Sequence, residues 1–447
     1  MSNAAIHPTL EDLANGRVRG QLVYNPYWWE AAPRQDTPSD QLPAAADVVI
    51  VGSGFTGLSA ALTLLRNGRH VAVLEREVPG FGASTRNGGQ VGSGNQKFRV
   101  KRLIELRGRA NAEAMLREGV RMLDYMEALI TSEGIECHFK RCGRFRGAVR
   151  AEHYEAMARD MEDLRAIAGV ESFMVPRSEQ YREIGTDLFF GGSVLPRDAS
   201  VHPGLYHSGL MRRVVELGGT VHGYTAAESI MAERRGFVIV TPQGKTRCRN
   251  VIIATNGYTD ALLPELGRRI VPVGSGQIAT GEIPEPLFSQ LMPTARVYGN
   301  TNRVFYYFRP IPGERRIMWG GRVGRFASNR SPTAYRHLAR DLLSVFPGLS
   351  AVPVTHGWDG LIGYTFDEVP HLGSTRSGVH YAIGYCGTGV SRATYFGHKV
   401  ALQLMEAPDN STAFDDLDFP TFPVYPIAKR AVPFIETFYR LRDIFNI

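Results

Sequence analysis

Between Asp47 and Gln90 the chain alternates two apolar runs with two glycine-rich breaks. Val48-Val49-Ile50-Val51 is short and uniformly apolar, which predicts a strand buried on both faces. Gly52-Ser53-Gly54-Phe55-Thr56-Gly57 breaks the run, and Leu58 to Leu65 predicts a helix that Asn67-Gly68 ends. His70 to Leu74 predicts a second buried strand, closed by Glu75. The stretch from Val48 to Leu65 carries no charge and approaches the length of a membrane span. Its three glycines and strand-like first half argue against one, because a spanning segment must be helical throughout.

Further along, the period changes. Asn111 to Ile130 places Met115, Leu116, Val120, Leu123, Met126 and Leu129 at threes and fours, one apolar helix face, and Ala151 to Ile167 repeats the character. Cys137 to Val149, with glycines at 143 and 147, reads as a short hairpin. His202-Pro203-Gly204 starts a helix with Leu205, Leu210, Val214 and Leu217 inward, and Thr220 to Thr225 resumes a strand. Phe237 to Val240 and Thr246 to Ile253 pair around Gln243-Gly244. From Ile270 to Arg322 short strands follow one another, at Gly276 to Ala279, Arg303 to Phe308 and Arg316 to Gly320, which indicates an antiparallel sheet. Strand Val379 to Ile383 runs into Gly384 to Gly389, and Val390 begins a helix with Thr388 as its candidate cap. Pro426 to Ile447 sets Val432, Ile435, Phe438, Leu441 and Phe445 on one side of a basic helix that docks on the body, meets another subunit or lies on a membrane surface, docking being favoured.

The first glycine segment carries chemistry. Gly52 permits a tight turn, Gly54 lets the backbone approach a pyrophosphate, and Gly57 lets the helix pack on the strand. The helix start offers N–H groups and the positive end of a dipole to phosphates. Glu75, some twenty residues on, is placed to accept hydrogen bonds from a ribose. Strand, glycine turn, helix, strand and acid together predict dinucleotide binding.

Composition narrows the class without changing that picture. A chain of 447 residues suggests two or three domain-sized units, and 43% hydrophobic with 21% charged residues describes a globular protein. The net charge of +7 is scattered, with small basic groups at Lys97 to Arg109 and Arg141 to Arg150. They read as solvated faces that draw in an acidic substrate, and nucleic acid is not expected. Cys137, Cys142, Cys248 and Cys386 show no metal or disulfide spacing, and no metal site is expected. With a signal-free start, this points to a reducing, cytoplasmic setting. Tyr27, Trp28 and Trp29 in the leading arm would be sticky if exposed, so they are expected to pack on the body or on a partner in a homo-oligomer.

A second glycine-rich loop, Gly80-Phe81-Gly82-Ala83-Ser84-Thr85-Arg86-Asn87-Gly88-Gly89-Gln90, follows the second strand directly. This loop in this place, with Gly384-Tyr385-Cys386-Gly387-Thr388-Gly389-Val390 near the end, resembles the amine-oxidising flavoproteins of the D-amino-acid oxidase superfamily, the gamma-glutamylputrescine oxidoreductases in particular. The resemblance implies FAD, held without a covalent bond because Ile362 and Gly363 stand where sarcosine oxidases carry a flavin-linked cysteine. It implies an α/β fold: a Rossmann-like FAD-binding domain from 47–98, 196–262 and 351–406, and a mainly antiparallel-sheet substrate domain with helices from 99–195 and 263–350. An arm over 1–46 and a tail over 407–447 flank them.

The cofactor-binding residues this implies are Gly52, Ser53, Gly54, Phe55, Thr56, Gly57, Glu75 and Arg76. The second loop adds Gly82, Ala83, Ser84, Arg86, Asn87, Gly88, Gly89 and Gln90, and the later segments add Ala227, Ala254, Thr255, Gly257, Gly363, Gly387, Thr388, Gly389 and Val390. Tyr306, Tyr307, Trp358 and Tyr385, with Arg86, are the substrate-pocket candidates. No catalytic acid or base is named, and Cys386 reads as a small filler beside the ring. The implied reaction oxidises a C–N bond of an amine or amino acid by hydride transfer to flavin N5, followed by imine hydrolysis. A gamma-glutamylated diamine is the leading substrate. The family's oxygen-activating lysine would fall near Met318, where this chain has no lysine, which counts against oxygen and leaves another acceptor open. Alternatives are a D-amino-acid or secondary-amine dehydrogenase feeding a quinone or protein, and a catalytically idle FAD-binding subunit.

Overall fold

The computed structural model describes residues 7–17, 20–34, 41–93, 98–322, 331–415 and 417–422. The helix expected over 426–447 lies outside them.

The apolar runs of the first segment become parallel strands of one sheet. Ala45–Val51 lies between Val71–Leu74 and Gly244–Ile253, with Thr220–His222 beyond one neighbour and His380–Ile383 beyond the other. Both faces are covered, which is why the runs are continuous rather than alternating. Val48, Ile50, Val71 and Val73 face the helices Phe55–Arg66, Arg109–Ser132 and Pro203–Glu216, while Val49, Val51, Ala72 and Leu74 pack on Phe237, Ile239 and Ile383. Gly236–Thr241 folds back on Gly244–Ile253 with Thr241 opposite Gly244, the hairpin expected at Gln243-Gly244. Helix Gly389–Leu404 crosses Phe55–Arg66 at Gly397, where any side chain would fall on the Thr56 carbonyl.

The second sheet runs in the order Val354–Tyr364, Val271–Thr280, Ile317–Arg322, Tyr307–Pro310, Val297–Asn300, Arg144–Gly147, Gly192–Leu195, Phe173–Val175. Its pairings are antiparallel except between Val297–Asn300 and Arg144–Gly147. Three expectations change here. Cys137 to Val149 is no hairpin, because Arg144–Gly147 finds its partners in 192–195 and 297–300. Val354–Tyr364 belongs to this sheet, so the chain rejoins the first one only at His371. Leu217, expected inward, sits past the end of its helix and is exposed.

The leading arm packs on the body. Helix Leu10–Asn15 ends with its Ala14 carbonyl accepting from Arg336 and Arg340, and backbone bonds Val354 N to Pro8 O and Val23 N to Thr355 O tie the arm along the outer strand. Trp28 is 0% exposed, against His202 and Trp358.

Candidate cofactor and substrate cavity

The parallel strands of the first sheet converge on a cavity of about 850 Å³, bordered by Val51, Leu74, Ala254 and Tyr385 at or just past their carboxyl ends. A crevice at that edge is where open α/β sheets bind ligands. The N-termini of Phe55–Arg66 and Gly389–Leu404 open on the same space through Gly54 to Thr56 and Thr388 to Arg392. Two helix starts thus aim partial positive charge at one volume. Buried Arg392 adds a full charge in the first turn, where burial pushes its pKa down to about 10. Such a site suits an anionic or electron-accepting group, and the pyrophosphate and ring of a flavin dinucleotide fit it.

The glycines do what the turn requires. Gly52 has φ 107°, and a Cβ there would lie 2.9 Å from the Ala254 carbonyl oxygen. Gly57 sits beneath the Gly52 carbonyl with no space for a methyl. Ser84 Oγ accepts the Phe55 N–H at 2.9 Å, so the second loop caps the first helix. Glu75 Oε2 accepts from Ser53 N at 3.0 Å and Ser53 Oγ at 2.8 Å, and Ser53 Oγ accepts the Gly80 N–H. Its Oε1 accepts from Glu77 N at 3.2 Å on the cavity side.

The second loop is fastened by its own polar side chains. Thr85 Oγ1 donates to Gly80 O, Asn87 Nδ2 donates to Ala83 O and Ser84 O, and Asn87 Oδ1 accepts from Gly89 N. Arg86 donates to Phe81 O and Asp359 O, with its guanidinium over the rings of Phe81 and Trp29. The arm reaches the loop through Trp28 Nε1 to Asn87 O at 2.8 Å and Trp29 Nε1 to Thr85 Oγ1 at 2.9 Å.

Of the residues expected at the cofactor, most border the cavity: Gly52, Gly54, Phe55, Thr56, Glu75, Arg76, Gly82, Ala83, Ser84, Arg86, Asn87, Gly88, Gln90, Ala227, Ala254, Thr255, Gly387, Thr388, Gly389 and Val390. Ser53, Gly57, Gly89, Gly257 and Gly363 do not. Ser53 holds Glu75, Gly57 packs helix on turn, and Gly89 lies against the Val201 carbonyl. Gly257 and Gly363 bring two backbones together, since a Cβ on Gly257 would lie 2.9 Å from Gly363 N and from Leu361 O. Thr388 caps no N–H; its hydroxyl donates to Tyr385 O and accepts from Arg392.

The pocket candidates separate. Tyr307 borders the cavity. Tyr306, 6% exposed, is core, tilted against Trp319 and Phe308. Trp358, 1% exposed, is also core, donating to Arg86 O beneath Trp28. Tyr385 borders the cavity, but its hydroxyl bonds Thr56 Oγ1 at 2.7 Å and donates to Ala382 O, tying the last helix start to the first. Arg86 lines the wall as a fastener of the loop.

Several cavity residues had not been singled out. Asn256, at φ 43°, accepts from Gly384 N at 2.9 Å and joins two strand ends. Asparagine at the end of an apolar strand is the signal, since it tolerates the left-handed region. Ser275 and Gln277 project from the second sheet, and Arg99, Arg144 and Arg146, read from sequence as solvated, border the cavity.

Beside the turn, His207 Nε2 donates to Ser53 O while Nδ1 accepts from Arg34. Burial, then the Arg34 charge, pushes its pKa down to about 3, and burial with Arg309 and His138 pushes His202 down to about 4. Both lie below the ordinary 6.5, so acidification protonates the unfolded chain first. Stability is therefore lost as pH falls below 6.5, by about 1.4 kcal/mol per pH unit per histidine down to the folded value. Calorimetric scans should show Tm falling from pH 7 to pH 5 more steeply for the wild type than for His207→Gln; equal slopes would contradict this.

The family model described as FAD dependent oxidoreductase matches residues 47–403. The chain is 28% identical over 425 residues to a gamma-glutamylputrescine oxidoreductase of Escherichia coli K12, covering 93% of this chain and 97% of that protein. It is 28% identical over 426 residues to the probable oxidoreductase OrdL of Rhizobium meliloti 1021, covering 94% and 97%. Among solved structures, glycine oxidase from Geobacillus kaustophilus shares the fold with a TM-score of 0.71 at 21% identity, over 85% of this chain and 99% of that one. Strand-end crevice, paired helix starts, glycine turn and matched family agree: the chain is a member of the DAO family of FAD-dependent oxidoreductases, with a flavin as its cofactor.

Proposed function

We propose that this enzyme oxidises the C–N bond of an amine, with a gamma-glutamylated diamine as substrate and FAD held without a covalent bond. The observation that carries the reading is continuity: the cavity at the strand ends of the first sheet runs unbroken onto the face of the second sheet that presents Tyr307, Ser275 and Gln277. The relatives named for gamma-glutamylputrescine and glycine support the substrate class. When bound, the flavin supplies the acceptor for hydrogen and two electrons from the carbon next to nitrogen, and water hydrolyses the resulting imine.

The chain's own residues position the amine. Burial pushes the Tyr307 pKa up to about 12, so its hydroxyl keeps the proton and bonds Ser275 Oγ at 3.2 Å. The Gln277 side-chain amide donates to Arg86 O, and its Oε1 has no partner among the described residues. Gln277 borders the cavity, and this enclosed oxygen is its unused acceptor. Of the four cysteines only Cys386 borders the cavity, and its Sγ lies 3.3 Å from Gly384 O and 3.4 Å from Thr365 Oγ1, which supports a non-covalent flavin. Met318, where the resemblance places an oxygen-activating lysine, is buried apolar packing beside Tyr307. That residue counts against oxygen as the acceptor.

An anaerobic panel of gamma-glutamylated diamines, free diamines, secondary amines and D-amino acids tests the reading by loss of flavin absorbance. Bleaching is expected first with the gamma-glutamylated diamine. A flavin left coloured by every amine would favour an idle binding subunit. Acid precipitation of the same preparation should release all the yellow colour, and colour on the pellet would refute non-covalent binding.

A further inference from the structure

The cavity continues past Tyr307 to a charged end. Gln277, Gly320, Tyr307, Gly299, Arg146 and Ser193 stand opposite one another in successive strands of the second sheet. Arg146 is two strand spacings from Tyr307, about 10 Å. Arg144 and Arg146 share the cavity face because alternate strand residues do, while Phe145 between them is core.

The two arginines differ in commitment. Arg144 donates to Asp198 at 2.6 Å and to Gln90 Oε1 at 2.8 Å. Arg146 donates through Nε to Asn300 O at 3.2 Å, and its two terminal nitrogens have no protein partner among the described residues. Asp160, on helix Ala151–Ala168, borders the same end and accepts the Val100 N–H with Oδ1 at 2.9 Å. Arg146 and Asp160 feel each other's charge without forming an ion pair, and Arg99 adds a second cation. Leu116, Met122, Met161 and Leu164 supply apolar lining beside them.

Opposite charges held near each other, unpaired and facing a cavity, match a ligand that carries both signs. We propose that Arg146 and Asp160 form a subsite for an α-amino-acid head group at the far end of the amine substrate. The guanidinium, with Arg99 beside it, takes the carboxylate as a planar fork, and Asp160 takes the ammonium. The apolar wall holds the methylenes. Six methylenes and an amide separate the head-group carbon from the oxidisable nitrogen of a four-carbon diamine, matching about three residues of extended chain, on the order of 10–11 Å, which suits the spacing from Tyr307. This assignment rests on the amine-oxidising reading above, and its test is separable from that one.

The probe is N-butyl-γ-glutamide, which keeps the head group and chain but lacks the oxidisable amine, titrated calorimetrically into flavin-loaded enzyme. Wild type is expected to bind it. Losing one charge-assisted contact should weaken binding about thirtyfold in Arg146→Met and about tenfold in Asp160→Asn. N-butylpropionamide, without the charges, should give no measurable heat. Flavin content and Tm equal to wild type establish that each variant is folded, and Arg99→Gln serves if Arg146→Met is not. A wild type that fails to bind, or variants that bind as wild type does, would overturn the subsite. Binding by a protein whose flavin no amine bleaches would overturn the oxidation reading and leave the subsite standing.

Discussion

Gly57→Ala is expected to leave the protein colourless as purified. The added methyl would sit on the Gly52 carbonyl and within 3.3 Å of Ile50 Cγ2, and neither strand nor turn has a flexible end that swings away. Helix Phe55–Arg66 must then lift from Ala45–Val51, moving Gly54 to Thr56 at the cavity mouth. Overpacking against backbone costs about 3 kcal/mol, the upper end of what cores absorb. Because the same shift misplaces a helix start, flavin binding should fall further than stability does. Flavin-to-protein absorbance and a urea midpoint measure the two effects, and a fully yellow variant with an unchanged midpoint would contradict the packing argument.

The second large effect falls on a residue of the arm. Trp28 is wholly buried, packs edge-on to His202 and Trp358, and donates to Asn87 O in the second glycine loop. Trp28→Ala should cost about 3–5 kcal/mol, as deletion of a fully buried aromatic does. It also frees a loop carbonyl whose position helps fix Asn87 and Gly88. Flavin should dissociate faster from this variant, while Trp29→Phe, which loses only the bond to Thr85, should lose about 1 kcal/mol. Denaturant curves and the rate of flavin fluorescence recovery on dilution distinguish the two. Equal, small losses in both variants would show that the arm is decoration.

The difference between what the chain reveals in one dimension and what it withholds follows from range. Val48 to Val51 and His70 to Leu74 are legible because a strand covered on both sides needs an unbroken apolar run. The turn between them is legible because Gly52 and Gly57 answer to neighbours a few residues away. Tyr306 and Tyr307 are a different matter. Alternation says that one of them faces the cavity, and only the pairing of Tyr307 with Gly299 and Gly320 decides which. Trp358 stands opposite Gln277 on the cavity face, yet Trp28 and the Arg86 loop cover it. No local pattern announces a cover supplied by Arg86, 272 positions upstream, and by Trp28 before it. Arg144 and Arg146 look like surface charge for the same reason, since helix Ala151–Ala168 is legible in the chain but its packing beside them is not.

The arm's attachment has a kinetic meaning. The Ala14 carbonyl waits for Arg336, a residue 322 positions later. At ribosomal speeds of about 5–20 residues per second the wait is on the order of tens of seconds. Asn87 and Thr85, the hydrogen-bond partners of Trp28 and Trp29, emerge early, but Trp358, which packs edge-on to Trp28, emerges later than Arg336 itself. The nascent chain therefore carries an uncovered aromatic segment for most of its synthesis, and chaperone demand in the cell should track that segment rather than the nucleotide-binding core.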